Sequence, residues 1–237
     1  MRMTRYGKMI GVLVTTGVVS VVTACGTARA AAPPAQAGAT VTSVKVGNPG
    51  AAALRDVPVT LGHLFRPGEL PAGRGLTARI AGGADVPLQV DAKATHRDGS
   101  LRHAVLTLRL PTLAAGAESA VELVAAAKPA PAAAGVALEG LLATDYDAKV
   151  SITLDGQAYT ASAREALAAA VKNGKLVTWL EGPLVGEWCA AMPVKKEDGT
   201  EHPHLCARFD VRGYAGHKLV RTDVCIENCW AYEPEPS

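Results

Sequence analysis

The densest run of side chains able to do chemistry lies between Gln89 and His103, where Asp91, Lys93, His96, Arg97, Asp98, Ser100, Arg102 and His103 crowd together. Lysine and arginine can neutralise a substrate carboxylate and a neutral imidazole can accept a proton, the two requirements of β-elimination at a uronic acid. Lys93 and Arg102 are the candidate cations, and His96 and His103 the candidate bases. The competing account is a solvated hairpin in which Asp98, Gly99 and Ser100 turn the chain. Ser100 and His103 also invite a hydrolase reading, but the chain has no G-x-S-x-G elbow, and a small polar residue after Asp-Gly is ordinary in a turn.

Cysteines are the second chemical resource. Arg2, Arg5 and Lys8 precede an apolar or small run from Met9 to Val22, and Val22-Thr23-Ala24-Cys25 closes it. The run is shorter than the roughly 20 residues a spanning helix needs, so it reads as a cleavable signal peptide over 1–24. Its closing residues resemble a bacterial lipobox, which implies a lipid on Cys25 and attachment to the membrane through it. Gly26 after that cysteine implies an outer-membrane or periplasmic location where the cell has two membranes. Residues 25–41 are rich in alanine and proline and read as a tether. Removing Cys25 leaves Cys189, Cys206, Cys225 and Cys229, an even number in an exported chain, for which disulfides are the expectation. The rival is a zinc site with His202 or His204, but the cysteines lack paired short spacing, so neither a metal nor a cofactor is expected.

Period-two alternation dominates the remainder, 42–237, which is expected to form one β-rich domain. Thr42 to Val46 and Val57 to Leu61 alternate. Val86 to Ala94 and Leu101 to Leu110 flank the turn at 96–100, with Gln89, Asp91 and Lys93 on one face and Arg102 and His103 on opposite faces. Gly82-Gly83 turns one strand into the next; it lacks the Lys-Ser/Thr of a phosphate loop. Lys149 to Leu154 and Gln157 to Thr160 flank Asp155-Gly156, and further strands are expected over 175–180 and 185–192. Leu138 to Leu142 is an isolated apolar piece after the linker-like stretch 125–135. One helix is expected at about 163–172, between a capping box at Ser162 and Glu165 and a left-handed stop at Asn173-Gly174. If Ala215-Gly216 is a two-residue turn, Arg208 faces Asp223, Asp210 faces Arg221, and Cys206 faces Cys225, making that pair the favoured disulfide. The fold class is mostly β, an antiparallel barrel or sandwich with one short helix.

Apolar residues make up 49% of the 237 and charged residues 19%, enough to build a core and to exclude wholesale disorder. Removal of Arg2, Arg5 and Lys8 with the leader lowers the formal charge of +2 by three, to −1. With aromatics at 4%, neither counterion release nor base stacking favours nucleic acid as a partner.

Three segments carry a family resemblance: VPVTLGHLFRPGELPAG (57–73), VPLQVDAKATHRDGSLRHAVLTLRLP (86–111), and GPLVGEWCAAMPV with HPHLCARFDVRGYAGHKLVRTDVCIENCWAY (182–232). They resemble the N-terminal RIFT-type β-barrel of the exo-rhamnogalacturonan lyase-like family. Lys93, Thr95, Asp98, Gly99, Ser100, Arg102 and His103 match the K-A-T-x-x-D-G-S-x-R-H run, whereas His96 stands where an aromatic is frequent. The resemblance implies a helical toroid domain, downstream or as a separate chain, that supplies much of the substrate cleft; the chain ends at Ser237 without residues for one. The expected function is therefore a non-catalytic, lipid-anchored module of the bacterial cell envelope that binds polysaccharide or packs against a partner domain. The alternatives are a minimal polysaccharide lyase and a structural envelope lipoprotein without a ligand.

Overall fold

The computed structural model describes residues 36–130 and 134–228, together with the backbone of Val21–Val22. Strand accounts for 57% and helix for 8%, placing the chain in the mostly-β class, with antiparallel sheets and a nearly closed barrel. The chain divides into two compact units. The N-terminal unit holds the described residues through Gly135 together with Gly182–Leu184; the C-terminal unit holds Val136–Glu181 and the chain from Val185.

In the N-terminal unit, a sheet of β1 (Val21–Val22), β2 (Thr40–Gly47), β8 (Glu118–Ala126), β4 (Gly75–Ile80) and β5 (Asp85–Val86) runs in that order. A second sheet places β7 (Leu101–Leu113) between β3 (Leu54–Leu64) and β6 (Leu88–Thr95). Alternation sets the core: Val57, Val59 and Leu61 of β3 and Leu106, Leu108 and Leu110 of β7 point inward with Val44, Val46, Val121 and Leu123 of the other sheet. The three β7 leucines are fully buried, which is worth roughly 2 kcal/mol each. The turn at Gly82, whose φ is 68°, joins β4 to β5 as expected. The stretch read as linker is used in part: Ala125 and Ala126 belong to β8, and Lys128 and Pro129 lie against Gly75 so closely that a Cβ there would stand 2.2 Å from the Lys128 carbonyl oxygen.

In the C-terminal unit the order is β14 (Val220–Asn228), β13 (Glu201–Tyr214), β12 (Val185–Lys195), β10 (Gln157–Ser162) and β9 (Lys149–Leu154), with β11 (Val177–Glu181) also on β12. Two helices accompany them. The expected one, α2 (Ala163–Lys172), starts where Ser162 Oγ accepts the Glu165 amide hydrogen at 3.2 Å and stops at Gly174, whose φ is 63°. Asp147 reinforces the start by accepting from Ser162 Oγ and the Arg164 amide. A second short helix, α1 (Leu138–Leu142), forms where the sequence suggested only an apolar piece. Arg164 stabilises its end by donating to the carbonyls of Leu142 and Thr144. Phe209, Leu167 and Trp188 centre this unit's core. The Asp155-Gly156 hairpin forms with positive φ at both residues, 50° and 75°.

The C-terminal hairpin differs from expectation. Pairing begins at Gly213 and Val220, so the expected register is displaced by two residues: Arg208 faces Cys225, Asp210 faces Asp223, and Cys206 faces Glu227. The expected Cys206 to Cys225 facing pair is therefore not formed. The cause is local. The Tyr214 carbonyl accepts the His217 amide hydrogen at 3.2 Å, closing a turn around Ala215-Gly216, but residues 217–219 then loop out before pairing resumes. A two-residue displacement keeps every side chain on its face while the partners change. Cys189, Cys206 and Cys225 are thiols; Cys229 lies outside the described residues, as do Cys25 and nearly all of the expected leader and tether.

Candidate functional site

The 89–103 segment forms the expected hairpin, and its turn polar groups hold the backbone in place. Gly99 adopts a φ of 80°, and the His96 carbonyl accepts its amide hydrogen at 3.0 Å. Asp98 Oδ1 accepts from Ser100 Oγ at 2.6 Å and from the Ser100 amide at 2.9 Å, and those two bonds hold the Asp98 carboxyl below its ordinary range. Ser100, 2% exposed, also accepts the Gly68 amide hydrogen at 2.9 Å. The Leu101 amide donates to the Leu70 carbonyl, and the Phe65 amide donates to the Arg102 carbonyl, each at 2.9 Å. His96 Nε2 lies 2.9 Å from the Phe65 carbonyl oxygen. A carbonyl can only accept, so Nε2 carries hydrogen and Nδ1 is the basic nitrogen of the neutral ring. Asp98, Gly99, Ser100 and His96 thus form a clamp between the hairpin and the 65–70 loop.

Lys93 and Arg102 are placed differently. Ala92 pairs with Ala104 and Ala94 with His103, making Lys93 the extra residue on β6; Thr95 then pairs with Leu101, making Arg102 the extra residue on β7. Two opposed bulges restore the register for the turn, and a bulge re-aims the side chain it carries. Period-two pairing runs unbroken through Gln89 and Asp91, and the register shifts between Ala92 and Ala94. Gln89 Nε2 donates to Asp91 Oδ2 at 2.8 Å, and Gln89 Oε1 accepts the Leu184 amide hydrogen at 2.8 Å. His103 faces Leu64 across one ladder and Ala94 across the other, and its Nε2 stands 3.4 Å from where a Cβ on Gly62 would lie. Gly62 and Arg102 are exposed, while Lys93 and His103 are half-buried. The hairpin thus carries a cation at each of its two bulges and, separately, an imidazole beside the exposed Gly62.

Sequence reasoning passed over His63, which lies inward on β3 at 8% exposure, edge-on to Phe65 at 4.5 Å between ring centroids. Burial lowers its pKa, opposed in part by Glu69, and its Nδ1 has no hydrogen-bond partner. Its signal was its inward parity in VTLGHL. Two buttressing pairs were also passed over: Arg109 grips Asp56 through two bonds of 2.5 and 2.6 Å, and Arg212 holds the largely buried Glu187 at 2.6 Å. In the C-terminal unit, His202 Nδ1 accepts the amides of His204 and Leu205, both at 3.1 Å, so that nitrogen is committed to the local bend. Among the described residues no three His, Cys, Asp or Glu side chains group so as to hold a metal ion. No family model, no curated protein and no solved structure matches the chain.

Proposed function

We propose that this protein is an exported, lipid-anchored envelope module that binds an acidic polysaccharide through the β6–β7 hairpin without cleaving it. One observation carries the reading: the turn's catalytic-looking groups, Asp98, Ser100 and His96, are engaged in holding the hairpin to the 65–70 loop, whereas Lys93 and Arg102 are carried on opposed bulges. A clamp that fixes two cations suits recognition of a uronate carboxylate. The resemblance to the N-terminal barrel of exo-rhamnogalacturonan lyase-like proteins agrees with a carbohydrate ligand, and the lipobox-like residues before Cys25 agree with envelope anchoring. A minimal polysaccharide lyase is the second reading, favoured by the placement of His103 beside Gly62, where it would take the α-proton while Lys93 and Arg102 neutralise the carboxylate.

The test uses the purified chain with uronate-bearing polysaccharides, followed by affinity electrophoresis and by the ultraviolet absorbance of unsaturated products. Retarded migration without product supports the binding module, and replacing both Lys93 and Arg102 by alanine should weaken retention about tenfold or more. Steady release of unsaturated product would establish the lyase instead. No retention across a glycan array, with the fold intact, would leave the ligand-free structural role. Anchoring is tested separately: Cys25→Ser should abolish incorporation of labelled fatty acid into the protein.

A further inference from the structure

The C-terminal hairpin holds an electrostatic conflict. Directly opposed positions on an antiparallel pair bring side chains closest, yet Asp210 faces Asp223 and Arg212 faces Arg221. Each of these charges is neutralised sideways instead: Arg221 and Asp223 by each other at 2.9 Å on the same strand, Asp210 by Arg208 at 3.5 Å, and Arg212 by Glu187 on β12; Arg208 also meets Glu227 at 2.5 Å on the diagonal. Sliding β14 by two residues along β13, about 6.8 Å, keeps both the side-chain faces and the alternation of hydrogen-bonded pairs. It sets Arg208 against Asp223, Asp210 against Arg221, and Cys206 against Cys225.

The rest of the hairpin is built to accept that slide. The Tyr214–His217 turn that a two-residue loop needs is already closed, and residues 217–219, now looped out, would extend the ladder as Tyr214 with His217, Gly213 with Lys218 and Arg212 with Leu219. At the far end β13 reaches back to Glu201, so Glu227 and Asn228 would still lie beside it. Among the described residues β14 pairs with β13 alone, and its burial is slight, with Val224 44% exposed. Among the contacts the slide gives up are the 2.6 Å bond between the Tyr146 hydroxyl and Thr222 Oγ1 and the Arg208–Glu227 contact.

We propose that Cys206 and Cys225 form a redox pair whose disulfide locks the hairpin in this second register. The reaction is thiol–disulfide exchange with a small-molecule or protein disulfide as oxidant. One thiolate attacks a sulfur of the oxidant and releases one thiol; the second thiolate attacks the mixed disulfide, forming the Cys206–Cys225 bond and releasing the other thiol. Two protein thiols are oxidised and one external disulfide is reduced. In the present register the two cysteines are diagonal neighbours, farther apart than a disulfide spans, so the slide must accompany the bond.

The experiment treats the reduced full chain with oxidised glutathione, maps cross-linked peptides by mass spectrometry, and follows amide hydrogen exchange over 217–219. The expected result is a Cys206–Cys225 cross-link with slower exchange at 219, whose amide gains the Arg212 carbonyl as acceptor in the second register. The double swap R221D/D223R tests the charges: it relieves the conflict in the present register and creates one in the second, so cross-linking should slow about tenfold or more relative to wild type. Tyr146→Phe, which removes the bond the slide must break, should accelerate it. A cross-link joining Cys225 to Cys229, no cross-link between Cys206 and Cys225 in the folded wild type, or a cross-link with unchanged exchange over 217–219 would each overturn the proposal. If the double swap does not fold, the wild-type exchange measurement decides.

Discussion

At the level of single side chains, the cluster separates by task. Ser100→Ala removes an acceptor from the Gly68 amide and a donor to Asp98 in a nearly inaccessible position, and should cost about 1–3 kcal/mol, read as a lowered denaturation midpoint. Arg102→Ala, at an exposed bulge, should change stability by no more than about 0.5 kcal/mol while weakening polysaccharide retention. His63 gives a pH signature. Its folded pKa lies below the unfolded value of about 6.5 because burial disfavours the charged ring, so the unfolded chain binds the extra proton first. Stability should be full above that unfolded value and fall as pH drops from it through the lowered folded value. His63→Leu should flatten this part of the profile in urea titrations at successive pH values; an unchanged slope would exclude His63 as its source.

Among strands and helices, what was legible depended on whether a local signal and the tertiary pairing agreed. Asp98-Gly99 and Asp155-Gly156 demanded left-handed backbone where turns occur, and the Ser162–Glu165 box with Asn173-Gly174 marked both ends of α2, so these elements appear as read. Strand β8, ESAVELVAA, carries helix-favouring alanine, glutamate and leucine and became a strand through pairing on both edges, with β2 and β4. Strand β4 is short and lies among glycines, too brief to show a period. The C-terminal register was misread because charge complementarity favoured one alignment while the 217–219 loop sets another. The bulges at Lys93 and Arg102 left no sequence mark, since no glycine or proline signals them. Gly75→Ala tests the seating of the 128–129 segment. The added methyl would meet the backbone of Lys128 and Pro129, so the loss should reach about 1–3 kcal/mol or more in chemical denaturation.

For the molecule as a whole, each unit carries its own buried cluster, and one residue from each gives a gauge. Leu106→Ala in the N-terminal core should cost about 2–5 kcal/mol, and Phe209→Ala in the C-terminal core about 3–5 kcal/mol. Trp188, 4% exposed beside Phe209's cluster, supplies a fluorescence readout for the second substitution. The N-terminal unit is also discontinuous in the chain: Gln89 is satisfied by the amide of Leu184, and Gly182 lies so near that a Cβ would come within 2.4 Å of the Gln89 amide carbon. During vectorial synthesis, nearly a hundred codons separate the glutamine from the amide that completes it. The amino-terminal unit gains that bond only after residue 184 has left the ribosome, so a translation product stalled before it would lack the Gln89–Leu184 contact.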